Sequence, residues 1–261
     1  YLAARASAPE GPEAQELSRR AVAALQAAAE RAAALHSPEQ ALSWCRQALA
    51  AAPEGPEAPA LLELATESAA ALARADEAEH FARRLVARHI ENKDRGAELR
   101  AVRLLGRITI ERRDPAAAVL LLSEALRFAD EREHPAEVAE VRESLARAYM
   151  LAGRLDEAAS TAAASLEVAE RHGVIPVITQ ALITKGTILG DLGRRREGTA
   201  LLQGALALAE SHDLPITALR ARMNLSHLLW DDDPAGQLEN LQAGMEQARR
   251  GELLDGEAVF A

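Results

Sequence analysis

The sequence predicts an all-α protein, a right-handed α-solenoid of about six helical hairpins with a period of roughly 40 residues. Three observations predict it. Ala and Leu dominate an apolar fraction of 49%, while aromatic residues make up only 3%, and these two are the strongest helix formers among apolar side chains. Small residues recur at a nearly constant step along most of the chain. Proline and glycine fall where that step needs helices to begin and end. β-branched runs are scarce, and a short cluster such as Val174, Ile175, Val177 and Ile178 is interrupted by Pro176, which argues against a strand.

The step is read from Ala146, where moving by 40 residues lands on Gly106 and Thr66 in one direction and on Gly186 and Ser226 in the other. A further step of 37 reaches Ala29. A second series, Ala41, Ala78, Ala118, Ala158 and Gly198, keeps the same spacing, as do Ala48, Leu85, Ala125, Ser165 and Ala205. Beside this last series run Leu49, Val86, Leu126, Leu166 and Leu206. A small residue belongs where two helices of a hairpin cross, because a larger one would hold the backbones apart. Large apolar neighbours then fill the space between hairpins.

An irregular lead-in, 1–12, precedes a repeat domain over 13–251. The first unit, 13–52, opens its second helix at Ser37-Pro38-Glu39, a capping side chain before a proline suited to the first helical position. The second unit spans 57–92, and the third, 95–133, has Asp114-Pro115 at the same place. The fourth, 135–173, starts at Pro135 and carries Gly153 and Gly173 where its helices stop; the fifth, 175–213, has Pro176 and Gly193. The sixth, 215–251, starts at Pro215, and its second helix opens after Asp233-Pro234 with a small residue, Gly244, one position early. We attribute that shift to a deletion in the acidic turn 231–234. Twelve helices follow, and 252–261 reads as the start of a truncated seventh repeat, with Val259 and Phe260 its first apolar residues. The chain is expected to be a piece of a longer protein.

Ala146 with Tyr149 three residues later, then Gly153 and Asp156-Glu157-Ala158, resembles the tetratricopeptide consensus, whose unit usually runs 34 residues. The longer period also admits HEAT repeats, but the short turn Gly153-Arg154-Leu155-Asp156-Glu157-Ala158 favours the tetratricopeptide pattern. The motif is degenerate elsewhere, with Leu189 and Thr109 in place of the aromatic. The runs 181–186, 220–226 and 253–258 resemble the C-terminal repeat region of actinobacterial regulators. In those, a class III adenylate cyclase or a LuxR-type DNA-binding domain is joined to a STAND-type ATPase and then to a helical array. That resemblance implies ATPase or cyclase domains upstream of this chain and no catalytic residue within it.

The net charge of −10 and pI of about 5.3 give the whole chain no attraction to nucleic acid or an anionic membrane. Charges interrupt every apolar stretch before it reaches membrane-spanning length. Cys45 is the single cysteine, so paired-thiolate zinc sites and internal disulfides are excluded, and a reducing, cytoplasmic setting is expected; a bacterial source is what the resemblance to actinobacterial regulators implies. Neither a phosphate-binding glycine loop, a nucleophile elbow nor a His-Glu-x-x-His helix occurs. No catalytic residue, metal or cofactor is expected. His134, His172 and His212 are expected as C-terminal caps of second helices, Cys45 as core, and Asp76-Glu77 and Asp156-Glu157 as acidic helix starts.

The expected function is a non-catalytic protein-interaction or sensor scaffold, the repeat region of a larger signalling or transcriptional ATPase regulator. The alternatives are a stand-alone peptide-binding adaptor and an α-helical enzyme. The first helices of such arrays line a groove. By register that face comprises Arg100, Arg103, Arg107 and Ile110; Glu140, Glu143, Arg147 and Met150; Gln180, Ile183, Thr187 and Gly190; and Arg220, Met223, His227 and Trp230. The expected partner is a protein or peptide in this groove, or other domains of the parent chain. The arginine run on the third unit could read an acidic peptide, but a solvated face paired with Glu98, Glu111 or acidic residues of adjacent hairpins is the favoured reading.

Overall fold

The computed structural model describes residues 12–229, with side chains from residue 16, and helical positions at 242, 243, 245 and 246. Eleven helices follow one another among the described residues: α1 (Pro12–Ala34), α2 (Pro38–Ala51), α3 (Ala58–Ala71), α4 (Ala75–Asn92), α5 (Arg95–Glu111), α6 (Pro115–Arg127), α7 (Pro135–Leu151), α8 (Leu155–His172), α9 (Ile175–Asp191), α10 (Arg195–Ser211) and α11 (Pro215–Leu229). The chain is all-α there, an α-solenoid of helical hairpins. The second helix of the sixth hairpin, the deletion placed in 231–234 and the seventh repeat lie outside the described residues.

The chain divides into two compact units, Tyr1–Ala101 and Val102–Ala261, with the boundary inside α5. In the first, α1 packs on α2, α2 on α3, α3 on α4, and α1 also reaches α3. In the second, each helix from α6 to α11 packs on the next, and α9 also touches α7 and α11. The second helices α8 and α10 make no comparable approach to each other. First helices therefore occupy the inner side of this unit and second helices the outer.

The small residues are where the hairpins cross. Ala29, Thr66, Gly106, Ala146, Gly186 and Ser226 are all buried, as are Ala41, Ala78, Ala118, Ala158 and Gly198. A methyl group on Gly198 would stand 2.6 Å from the Gly186 carbonyl oxygen, and one on Gly106 would stand 2.8 Å from Leu122. At Gly198 a side chain would have to move the Gly186 backbone, whereas at Gly106 the Leu122 side chain would have to give way. Around these crossings the large apolar residues close the core. Ile183 of α9, Leu202 and Ala205 of α10 and Ala221, Leu225 and Leu228 of α11 form one cluster. Ala139 of α7, Val168 and Ala169 of α8 and Val177 and Ile178 of α9 form another. Each fully buried Leu or Ile contributes about 1.5–3 kcal/mol.

Helix ends follow the expected chemistry in part. Asp114 caps α6, its Oδ1 accepting a hydrogen bond from the Ala117 N–H at 2.9 Å. Ser37 holds the same position before α2 but makes no side-chain cap bond. Gly153 and Gly193 take left-handed conformations after α7 and α9 (φ 74° and 79°). His172 and His212 end α8 and α10 as expected, whereas His134 does not end α6. It stands immediately before α7 as its N-cap residue, because α6 stops at Arg127 and the turn 128–134 intervenes. Asp76-Glu77 and Asp156-Glu157 occupy the first turns of α4 and α8, where the exposed N–H groups favour negative charge.

Candidate partner-binding site

The inner face of the second unit is built by the C-terminal half of α5 and by α7, α9 and α11, and polar side chains converge on it. Glu143 of α7 is nearly enclosed, with 7% of its side chain exposed, and Arg220 of α11 is 14% exposed. Between them stands Thr184 of α9. Its hydroxyl donates to Glu143 Oε1 at 2.8 Å and accepts from Arg220 Nη2 at 2.9 Å. Arg220 Nη1 also reaches Glu143 Oε1 at 3.5 Å and Gln180 Oε1 at 3.4 Å. One guanidinium thus links three consecutive first helices, across 77 residues of sequence. A buried carboxylate is tolerated only when paired and hydrogen-bonded in this way.

The rest of the face is tied less deeply. Arg103 Nε lies 3.1 Å from the Glu140 carboxylate, and Arg107 Nη1 lies 3.3 Å from Glu111 one turn along the same helix. The Thr187 hydroxyl sits 2.9 Å from the Ile183 carbonyl and 3.1 Å from Asn224 Oδ1, while the Asn224 amide donates to the Arg220 carbonyl at 2.8 Å. A cleft of about 190 Å³ opens between α7 and α9, lined by Arg103, Glu140, Glu143, Ser144, Pro176, Val177 and Gln180.

Arg147 stands one turn beyond Glu143 on α7. Burial pushes its guanidinium down to about 10, and the neighbouring Arg220 adds to the shift; Glu143 and Glu111 oppose it. The group stays cationic at neutral pH, held in surroundings that disfavour its charge by at most about 3 kcal/mol. The Cys45 thiol, by contrast, belongs to the core of the first unit: it is fully buried, and burial pushes it up to about 12, helped by the Glu30 carboxylate. A thiol so placed is neither nucleophile nor ligand at neutral pH.

The residues expected to line the groove separate on inspection. Arg103, Glu140, Glu143 and Gln180 meet at the cleft. Glu143, Thr187 and Arg220 are engaged with one another's neighbours, and Met223 is half-buried on α11. His227 is exposed, and Arg100 is exposed within the first unit. Trp230 lies outside the described residues. Ile183 must be corrected: it is 0% exposed and packs with Leu202 and Leu225, so it does not line the face. Three residues before the Gly186 crossing, this apolar side chain turns into the space between α9, α10 and α11 and joins the core. Ile110 is buried too, and Gly190 packs under Leu228.

Ser144, Thr184 and Asn224 were missed. They are polar residues at a step of 40 on otherwise apolar positions, the signal that had located the crossings.

No family model matches the sequence, and no curated protein matches it either. Solved structures do match. Aspartyl phosphate phosphatase F from Bacillus subtilis aligns over 85% of this chain and 58% of its own, with 13% identity and a TM-score of 0.68. A Rap protein solved in complex with competence and sporulation factor aligns over 84% of this chain and 62% of its own, with 13% identity and a TM-score of 0.68. The TPR-like repeats of a kinesin-light-chain protein from Podosopora anserina align over 75% and 97%, with 20% identity and a TM-score of 0.59. The chain therefore spans less than two thirds of the phosphatase F and Rap chains and nearly all of the kinesin-light-chain repeats. What it shares with all three is the backbone: the fold is that of tetratricopeptide-like helical repeats.

Proposed function

We propose that this chain is a non-catalytic scaffold that binds a protein or peptide on the inner face of its second unit. One observation carries the proposal. Side chains from α5, α7 and α9 converge on an open, polar cleft whose floor is fixed by the buried Glu143–Thr184–Arg220 link. Preorganised polar groups beside apolar Pro176 and Val177 suit an extended chain with mixed side chains better than a small reacting molecule. The Rap protein above, solved with competence and sporulation factor, is a structural neighbour that supports a peptide partner.

In this proposal the chain is the repeat region of a larger bacterial, cytoplasmic regulator with STAND-type ATPase machinery, built of six repeats over 13–251 with a seventh beginning at 252. A stand-alone peptide-binding adaptor is the second reading, and the same neighbour favours it.

Panning a random peptide library against the chain tests the proposal, with amide hydrogen exchange locating the contact. Selected peptides are expected to slow exchange on α7, α9 and α11. Failure of any peptide to enrich, or protection confined to α8 and α10, would refute it.

A further inference from the structure

The first unit carries an open slot on its outer side. The first helices α1 and α3 touch, whereas the second helices α2 and α4 make no comparable approach. Two ion pairs bridge the space between them. Arg46 of α2 donates from Nε to Glu77 Oε1 of α4 at 2.7 Å, and Arg88 of α4 donates to the carboxylate and the carbonyl of Glu54, in the turn after α2, at 2.6 and 2.7 Å. A cleft of about 370 Å³ is lined by Leu49, Ala50, Pro53 and Phe81 together with Arg46 and Arg84. The lining thus holds four apolar residues, two guanidiniums and no carboxylate. The cleft of the second unit has the opposite make-up, one guanidinium beside the carboxylates of Glu140 and Glu143.

Arg84 is the group in this slot that takes no part in the scaffold. It is half-buried. Its neighbour Arg83 is held by Glu79 at 2.6 Å, while among the described residues no hydrogen bond or ion pair engages Arg84. The repeat does not ask for it either: at the same place the other second helices carry Gln47, Glu124, Ala164 and Gly204.

We propose that this slot is a second docking surface, for a short segment of a partner protein that carries an aliphatic or aromatic side chain beside an acidic one. The apolar side chain lies against Leu49, Ala50, Pro53 and Phe81, and the neighbouring carboxylate takes paired N–H donors from Arg84. The apolar floor excludes water and strengthens that pair over one in open solvent. The slot is open to one side, which suits a passing chain better than a small molecule, whose pocket encloses most of its surface. A polyanion is disfavoured, since Glu77 and Glu54 stand at the bridges and the chain has a net charge of −10. Occupancy here is separate from peptide binding on the inner face of the second unit.

Three decapeptide libraries, blocked at both ends, serve as probes. The first is drawn from Leu, Ile, Phe, Asp, Glu, Ser and Gly; the second replaces Asp and Glu by Asn and Gln; the third replaces Leu, Ile and Phe by Ser and Gly. Peptides selected on the 261-residue chain are measured by fluorescence anisotropy on that chain, on Arg84→Gln and on Ala50→Glu. The latter is an exposed helical position, where the new side chain sets a carboxylate in the slot without disturbing the core. Binders are expected from the first library only, weakened at least about tenfold by either variant, and they should slow amide exchange on α2 and α4.

Equal enrichment from the second or third library overturns the proposal, as does binding that both variants leave unchanged. Protection confined to α7, α9 and α11 overturns it while supporting the function of the inner face. Sedimentation of the chain alone gives the remaining outcome: self-association that Arg84→Gln abolishes would make the occupant a second copy and not a partner protein. No enrichment from the first library overturns this surface alone, because the inner face is judged by its own panning with unrestricted peptides.

Discussion

The two units are made of the same hairpin and differ in what holds it and what it presents. In the first unit the hairpins are joined near their outer edge by Arg46 with Glu77, Arg74 with Glu39 and Arg88 with Glu54, all substantially exposed on at least one side. In the second, the corresponding tie is buried on the inner face, where Arg220 reaches Thr184 and Glu143. The positions that follow the crossing residue carry Glu30 and Glu67 in the first unit but Arg107, Arg147, Thr187 and His227 in the second. One register therefore carries acidic side chains at this position in one unit and basic or polar ones in the other. The scaffold fixes where side chains point, while their chemistry is free to vary.

The largest test of this contrast is the removal of one tie from each unit. Glu143→Leu should destabilise the second unit by about 3 kcal/mol, because it leaves Arg220 buried without its carboxylate. Arg46→Leu should change stability by less than about 1 kcal/mol, since exposed pairs contribute little. Equal effects in chemical denaturation would erase the distinction between buried and exposed ties.

Somewhat smaller is the effect of one methyl group at equivalent crossings. Ala78 and Gly198 occupy the same place in the register, and Ala78 is accommodated fully buried. Gly198→Ala should nevertheless cost about 2 kcal/mol, because its methyl would meet a backbone oxygen and not a movable side chain. A neutral result would show that the second unit's hairpin can open as the first unit's does.

Alkaline titration should pull the units in opposite directions. Cys45 in the first unit has its folded pKa raised, so the stability it contributes is complete below the ordinary thiol range and is lost as pH climbs toward about 12. Between pH 9 and 10 that loss is about 1 kcal/mol. Arg147 in the second unit has its folded pKa lowered, so the penalty on its charge is complete at neutral pH and lifts only as pH rises past about 10. Melting curves of Cys45→Ala should lack the alkaline decline below pH 10; an unchanged decline would place its cause elsewhere.

The smallest effect should be the same in both units. Ala73 and Arg113 end first helices with φ of 55° and 63°, a region that glycine adopts without cost. Ala73→Gly and Arg113→Gly should each stabilise by about 0.5 kcal/mol or leave stability unchanged. A gain in one unit alone, seen as a shift in its denaturation midpoint, would mean that the turns are not equivalent.

Much of the fold was legible because a crossing imposes a local steric rule. Thr66, Gly106, Ala146 and Gly186 had to be small wherever the chain placed them, so the step between them could be read directly. Helix starts were less legible. Asp114 and Ser37 look alike in sequence, yet only Asp114 makes the cap bond. The face itself was read less well. Arg103, Glu140, Glu143 and Gln180 do meet at the cleft, but Ile183 lies in the core, since helical periodicity gives a direction and not the distance to the neighbouring helix. In sequence the α5 arginines read as a face paired with nearby glutamates more readily than as free charge, and Arg103 and Arg107 do stand beside Glu140 and Glu111.

The sequence by itself determined the hairpin, its period and its crossing residues, because those depend on side-chain size and on turns within a few residues. Only the tertiary structure decided which polar groups meet. Glu143, Thr184 and Arg220 lie on three different helices, and electrostatic compensation depends on separation in space, which a repeat pattern along the chain does not encode.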